Sequence, residues 1–220
     1  MARVPGAGPV KTRLHEALTP AVATELYRCF LLDRLEALAA LPGIDPVVAF
    51  TPATARAEMA ALAPSGVRLI AQTTGDLSER LITLVKDLLE DGHPAVLAMD
   101  SDSPTLPMHW VSEAADVLVR TDADVVLGPC DDGGYYLVGV RASHPELFSG
   151  IPWSSDAVLA TTRARVHELG LRARLLGTWF DVDDETALRR LHAELRGGAT
   201  KAPRTRAFLA ETYGEARRPD

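Results

Sequence analysis

Cysteine is nearly missing from this chain: among 220 residues only Cys29 and Cys130 carry a thiol. Two thiols cannot build a disulfide framework, so the expected location is a reducing cytoplasm. Long apolar runs are missing too. No stretch approaches the roughly 18 apolar residues of a membrane helix, and the opening MARVPGAGPVKTRL lacks the apolar centre of a secretion signal. Positive charge is scarce: 23 Lys and Arg face 30 Asp and Glu, a net charge of −7. That balance excludes a general nucleic-acid binder, because neutralising phosphates needs a basic surface. The six histidines show no zinc-type spacing and no serine sits in a G-x-S-x-G elbow, so neither a zinc centre nor a hydrolase elbow is supported.

What is present is ordinary globular material. Hydrophobic residues make up 47% and charged residues 24%, a balance of folded rather than disordered chains. Short apolar runs read as strands buried on both faces: PVVAF (46–50), VRLIA (67–71), AVLAM (95–99), DVVLG (124–128) and YLVGV (136–140). Helical periods lie between them. Residues 20–41 carry Tyr27, Leu31, Leu35 and Leu38 on one stripe, opened by Thr19 as cap and Pro20 in the first turn. Residues 76–91 carry Leu77, Leu81, Leu84, Val85, Leu88 and Leu89, with Asp76 and Glu79 as a capping box and Gly92 as the stop. Further helices are expected at 107–120, 154–169 and 184–196, and a short one after Lys201. Strands alternating with helices predict an α/β three-layer sandwich with a mostly parallel central sheet. The expected organisation is one domain over 1–200, then a C-terminal helix and polar tail over 201–220, whose exposed helix offers a surface for a homodimer.

In such sheets ligands sit beyond the carboxyl ends of the strands, so the residues after each strand matter most. In PGAGPVKTRL (5–14), Gly6 and Gly8 allow a close backbone turn, and Lys11 and Arg13 follow on a short tether. Main-chain N–H groups and side-chain charge together suit phosphate oxygens, although an ordinary Gly/Pro turn reads the same way. Lys11 is one of only three lysines, and with Val10 before it the loop is not a Walker motif. In AVLAMDSDSPTLP (95–107) a buried strand runs into Asp100-Ser101-Asp102. In extended chain residues two apart point the same way, about 7 Å between Cα atoms, so these carboxylates could share a hard cation and the diphosphate it carries. The competing reading is an Asp helix cap and a solvated loop. In GPCDDGGYYLVGV (128–140), Asp131 and Asp132 need a cation, a basic group or water between them, and Gly133-Gly134 could admit a substrate to the main chain; a reverse turn between strands explains Asp-Gly equally. In WFDVDDETAL (179–188), Asp181 or Asp183 could complete a metal site, whereas Asp184 reads as a helix cap.

Taken in order, P-G-x-G-x-V-K-T-R-L, G-D-L-S-E-R-L (75–81), S-D-S-P-T-L (101–106), G-P-C-D-D-G-G-Y-Y-L-V-G (128–139), I-P-W-S-S (151–155) and D-V-D (181–183) resemble a bacterial family of uncharacterised GT-A-fold proteins. Its members are usually assigned as glycosyltransferases, sometimes linked to arsenosugar biosynthesis, and are similar to nucleotidyltransferases such as 2-phospho-lactate and molybdenum-cofactor guanylyltransferases. The resemblance implies a nucleotide-diphospho-sugar transferase fold, a nucleotide donor, a small-molecule acceptor and a Mg2+ or Mn2+ ion. It implies donor-phosphate contacts at Lys11 and Arg13, nucleotide contacts at Gly75 and Asp76, metal ligation by Asp102 and by Asp183, and an acceptor side made by Asp132, Gly133, Gly134, Tyr135, Trp153 and Ser154. Three departures stand out: the start at MARV leaves a short or missing first strand, Asp100 replaces a more usual Gly and adds a candidate metal ligand, and Ser78 stands where Gly is frequent. The expected activity is metal-dependent glycosyl transfer from a nucleoside-diphosphate sugar, with Asp132 orienting or deprotonating the acceptor hydroxyl. Nucleotidyl transfer with release of pyrophosphate, or nucleotide binding without catalysis, are the alternatives.

Overall fold

Thr19 and Pro20 open the first long helix as the sequence predicts: the Thr19 hydroxyl accepts the Val22 N–H at 3.4 Å, and proline needs no partner at the first helical position. The computed structural model describes residues 1–197 and 201–215; the end of the helix and polar tail expected over 201–220 lies outside the described residues. In chain order the first elements are β1 (Ala2–Arg3), α1 (Pro20–Ala39), β2 (Val47–Thr51), α2 (Arg56–Leu62), β3 (Arg68–Ala71), α3 (Leu77–Glu90) and β4 (Val96–Met99). They are followed by α4 (Met108–Val119), β5 (Val125–Pro129), β6 (Tyr135–Val140), α5 (Val158–Glu168), β7 (Ala173–Leu175), α6 (Glu185–Arg196) and α7 (Pro203–Glu215).

The chain forms two compact units. The first comprises residues 1–71, 101–106 and the described residues from 181 onward. Its sheet has the order β1-β2-β3, all parallel, with Val48 opposite Leu69 and Arg3 opposite Thr51. The short first strand foreseen at MARV is this two-residue β1, prolonged by a hydrogen bond from Val4 N to Thr51 O. Ala2, Val4, Val48 and Phe50 from the sheet pack against Leu31 and Leu35 of α1 and Met59 of α2. α1 is buried on more than one stripe: Leu26, Phe30 and Leu32 are as enclosed as Tyr27 and Leu31, and one of the elements that covers it is α7. Leu38, placed on the stripe by its spacing, is only half-buried.

The second unit comprises residues 72–100 and 107–180. Its sheet has the order β4-β6-β5-β7; β6 runs antiparallel to both neighbours, and β7 is parallel to β5. β5 and β6 are consecutive and antiparallel, so the DDGG stretch is the turn of a hairpin. Within it Cys130 N donates to Gly134 O at 3.0 Å and Gly133 N to Cys130 O at 3.3 Å. α3 begins with the foreseen capping box, Asp76 accepting the Glu79 N–H at 2.9 Å and Glu79 accepting the Asp76 N–H at 2.8 Å. Leu81, Val85 and Leu88 form its buried stripe. α5 starts at Val158 rather than 154, because residues 153–157 form turns and Ser154 has a positive φ of 65°. Among the described residues no helix is long and apolar enough to cross a membrane.

Candidate phosphate and metal site

The first unit gathers three of the predicted residues at one point. The Lys11 ammonium lies 2.7 Å from Asp102 Oδ1 and 2.8 Å from Asp183 Oδ1, with a side chain only 4% exposed. Its nitrogen also lies over the Phe30 ring, 6.0 Å from the centroid. Arg13, largely exposed, approaches the other oxygen of Asp183 at 3.7 Å. Burial draws the Lys11 pKa down, but the Asp102 and Asp183 carboxylates outweigh it and hold the ammonium above the ordinary lysine value. For Asp183 burial pushes upward, and Lys11 with Arg13 overcomes it, holding the carboxyl below the usual range.

Local structure explains how residues so distant in sequence meet. The loop after β1 turns through Gly6 and Gly8, with φ of 89° and 154°, a region open to glycine at little cost. Lys11 itself adopts a left-handed conformation, φ 50° and ψ 42°, at the head of a 3-10 turn over Thr12–Glu16. Leu14, fully buried, anchors that turn. Asp102 and Asp183 are set side by side by a main-chain hydrogen bond from Val182 N to Asp102 O at 2.9 Å. The Thr105 hydroxyl donates to Glu194 at 2.9 Å and ties the same segment to α6. Tyr27 closes the floor: its hydroxyl donates to Arg3 O at 3.2 Å and lies 3.0 Å from Ser101 Oγ, and burial pushes its pKa up to about 12.

Two carboxylate oxygens within hydrogen-bond reach of one cationic nitrogen are a donor set that fits Mg2+ or Mn2+, which favour hard oxygen ligands and complete their shell with water and substrate phosphate. Asp102 and Asp183 would hold such an ion. Asp100 and Asp102 do not lie in one extended strand. β4 stops at Met99 and the chain bends at Ser101 and Asp102, while Asp100 N continues the strand pairing by donating to Tyr136 O at 3.1 Å. Asp102 is not a helix cap either, since α4 is preceded by Pro107 with no side-chain cap. Asp184 is one, accepting the Ala187 N–H at 2.8 Å.

The second unit places the other predicted residues. Asp76 caps α3, and Gly75 precedes it with φ 111°. Asp132 is exposed and accepts the Gly134 N–H at 2.8 Å, a local turn bond. The space beside Gly133 is filled by the chain itself: with φ 89°, a Cβ there would lie 2.2 Å from Asp156 O. Close approach at Gly133 is therefore made by residue 156. Tyr135 and Trp153 meet edge to face at 6.1 Å. Trp153 donates its indole N–H to Ser78 Oγ at 2.8 Å, and Ser78 donates to Phe148 O at 2.6 Å. Sequence reasoning missed Phe30 and the floor role of Tyr27, which looked like ordinary core residues of an apolar helix; it also missed the use of Ser78 as a pin. Only the departure from Gly at 78 signalled the last.

Residues 34–155 match the family described as "Uncharacterized protein conserved in bacteria (DUF2064)". The chain belongs to this family. A solved structure from Desulfovibrio desulfuricans G20, provisionally assigned as a nucleotide-diphospho-sugar transferase, is 32% identical over 98% of this chain and 94% of its own, with a TM-score of 0.89. CMP:2-keto-3-deoxy-manno-octonic acid synthetase, solved with CTP, is 12% identical over 77% of this chain and 88% of its own, with a TM-score of 0.55. 4-Diphosphocytidyl-2C-methyl-D-erythritol synthase is 15% identical over 74% and 88%, with a TM-score of 0.52. No curated protein matches the sequence. The fold is that of the nucleotide-diphospho-sugar transferases, as the motifs implied.

Proposed function

We propose that this DUF2064 chain is a metal-dependent glycosyltransferase moving a sugar from a nucleoside-diphosphate donor to a small acceptor. The observation that carries the reading is the Lys11 ammonium clamped between Asp102 and Asp183 behind a glycine loop. When bound at those carboxylates, a divalent ion supplies Lewis-acid charge to the departing diphosphate. Lys11 and Arg13 add fixed positive charge where negative charge develops, the kind of electrostatic stabilisation that lowers such barriers most. Main-chain N–H groups around Gly6 and Gly8 orient the phosphates. Gly75 and Asp76 are assigned to the nucleotide, and Asp100 to the metal as a candidate further ligand. Asp132 is assigned as the base for the acceptor hydroxyl, with Gly133, Gly134, Tyr135, Trp153 and Ser154 on the acceptor side. Two buried cysteines that form no disulfide suit a cytoplasmic enzyme.

Nucleotidyl transfer draws on the same cluster. Two cations on one short tether after the glycine loop could equally stabilise a transferring phosphoryl group. The leaving group separates the readings. The protein is incubated with NDP-sugars or NTPs, Mn2+ and a panel of small hydroxylated or phosphorylated acceptors, followed by mass spectrometry. NDP release with a glycosylated product supports the first reading, and pyrophosphate supports the second. Asp102→Ala is expected to abolish turnover in either case; full activity in that variant removes the metal from the mechanism, and ligand-induced stabilisation with no turnover for any pair leaves nucleotide binding alone.

A further inference from the structure

The clamp around Lys11 holds more than a phosphate-binding side chain needs. Its nitrogen touches Asp102 and Asp183 within 2.8 Å, its side chain is 4% exposed, and its backbone takes the left-handed conformation, φ 50°, which non-glycine residues enter only when surroundings enforce it. In this arrangement the ammonium stands where a divalent ion would have to be held. We propose that Lys11 is the built-in occupant of the Asp102–Asp183 cation site, and that a divalent ion is held there only when the ammonium leaves. This inference rests on the reading of the cluster as a metal and phosphate site, and it adds how that site is regulated.

The charges make the exchange compulsory. Two carboxylates and one ammonium leave a single net negative charge. An ion entering beside the resident ammonium meets an adjacent cation and shares the oxygens that bind it, and Arg13 at 3.7 Å from Asp183 adds a second repulsion. Once displaced, Lys11 needs an anion, and the nearest one supplied by the proposed reaction is the donor's diphosphate. Phosphates arriving without metal take from Asp102 and Asp183 the ammonium that offsets much of their charge. Each ligand alone therefore binds weakly, and the two together bind with a coupling that is reciprocal. The glycine loop provides the freedom, since Gly6 and Gly8 tolerate backbone conformations closed to other residues.

The test uses metal alone. Free Mn2+ is followed by electron paramagnetic resonance in wild type, Lys11→Met and Lys11→Met/Asp102→Asn, with no nucleotide present. Lys11→Met is expected to bind Mn2+ at least tenfold more tightly than wild type, and the added Asp102→Asn to erase the gain. A Lys11→Met affinity equal to wild type, or no binding in either protein, overturns the proposal. Should that variant fail to fold, the wild type decides. With only three lysines, the 15N-resolved ammonium signal of Lys11 can be followed while Mg2+ is added. It is expected to move as calorimetry shows the ion saturating; saturation with the Lys11 signal unmoved overturns exchange. Because no donor is used, metal exchange without any sugar transfer sinks the functional reading alone, and donor turnover with unchanged Mn2+ affinity sinks this inference alone.

Discussion

The Asp33 carboxylate accepts both hydrogen bonds that Thr205 can donate, from its N–H at 2.9 Å and its hydroxyl at 2.7 Å. The Arg204 N–H donates to the same carboxylate at 3.1 Å. A buried side chain of α1 thus caps the first turn of α7, which has orphan N–H groups there. Replacing Asp33 by Ala strands three donors at a buried place, and we expect a loss of about 2–4 kcal/mol. Denaturant midpoints measure it, and trypsin should then cut after Arg204 and Arg206 well before other sites. An unchanged midpoint with unchanged proteolysis would show that α7 is held by its apolar contacts alone.

Gly133→Ala tests the hairpin turn. The added methyl would meet Asp156 O at 2.2 Å on a backbone with φ 89°, so both space and conformation oppose it. Strain at positive φ and overpacking together predict a loss on the order of 2–4 kcal/mol. Gly134→Ala, where the nearest atom is the Asp132 carboxylate at 3.1 Å, should cost less. Equal midpoints for the two variants would argue that residue 156 can move away.

Among the described residues, five strands were legible in the sequence because each is an apolar run; the other two lack such a run, and β1 was foreseen only through the family resemblance. β7 is Ala173–Leu175, exposed at all three positions, so it carries no burial signal and exists through pairing with β5. β1 has two residues. α2 buries only Met59, too little for a periodic stripe. The cluster was legible as residue types and not as a contact. Lys11 and Asp183 are 172 positions apart, and no local pattern reveals that a lysine lies between two carboxylates each assigned to a metal. Conversely, Asp76, Thr19 and Asp184 were readable as caps because capping is decided within four residues.

Asp124 predicts a pH dependence in the second unit. Hydrogen bonds from the Arg172 side chain and main chain, and from Arg141, hold its carboxyl well below the usual range. A carboxyl depressed on folding stabilises above its unfolded value, near 4, and that contribution is lost as pH falls through the folded value. Asp124→Asn should therefore lower thermal stability at pH 7 and flatten the acid limb below about pH 4 relative to wild type. The effect should be small and salt-sensitive, because both arginines are solvent-exposed. Parallel melting curves from pH 7 to pH 2 check it; identical slopes below pH 4 would remove Asp124 from the acid response.

Ser78→Ala separates a structural from a ligand-contacting role at the position where glycine was expected. The Ser78 hydroxyl serves two partners at once, donating to Phe148 O at 2.6 Å and accepting the Trp153 N–H at 2.8 Å, and it is buried in doing so. Removing it leaves a carbonyl and an indole N–H without their partner, at a cost of about 1–3 kcal/mol. Because Trp153 also meets Tyr135 edge to face, the loosened indole should disturb that ring as well. The chain has three tryptophans, so indole 1H–15N spectra resolve the question directly: the Trp153 cross-peak should shift and its solvent exchange quicken while the other two stay nearly still. Ser78→Gly should behave like the alanine variant with a further small loss from the helix N-terminus. If Ser78→Ala retains wild-type stability and an unmoved Trp153 signal yet weakens nucleotide binding, the hydroxyl belongs to the ligand and not to the 148–153 segment.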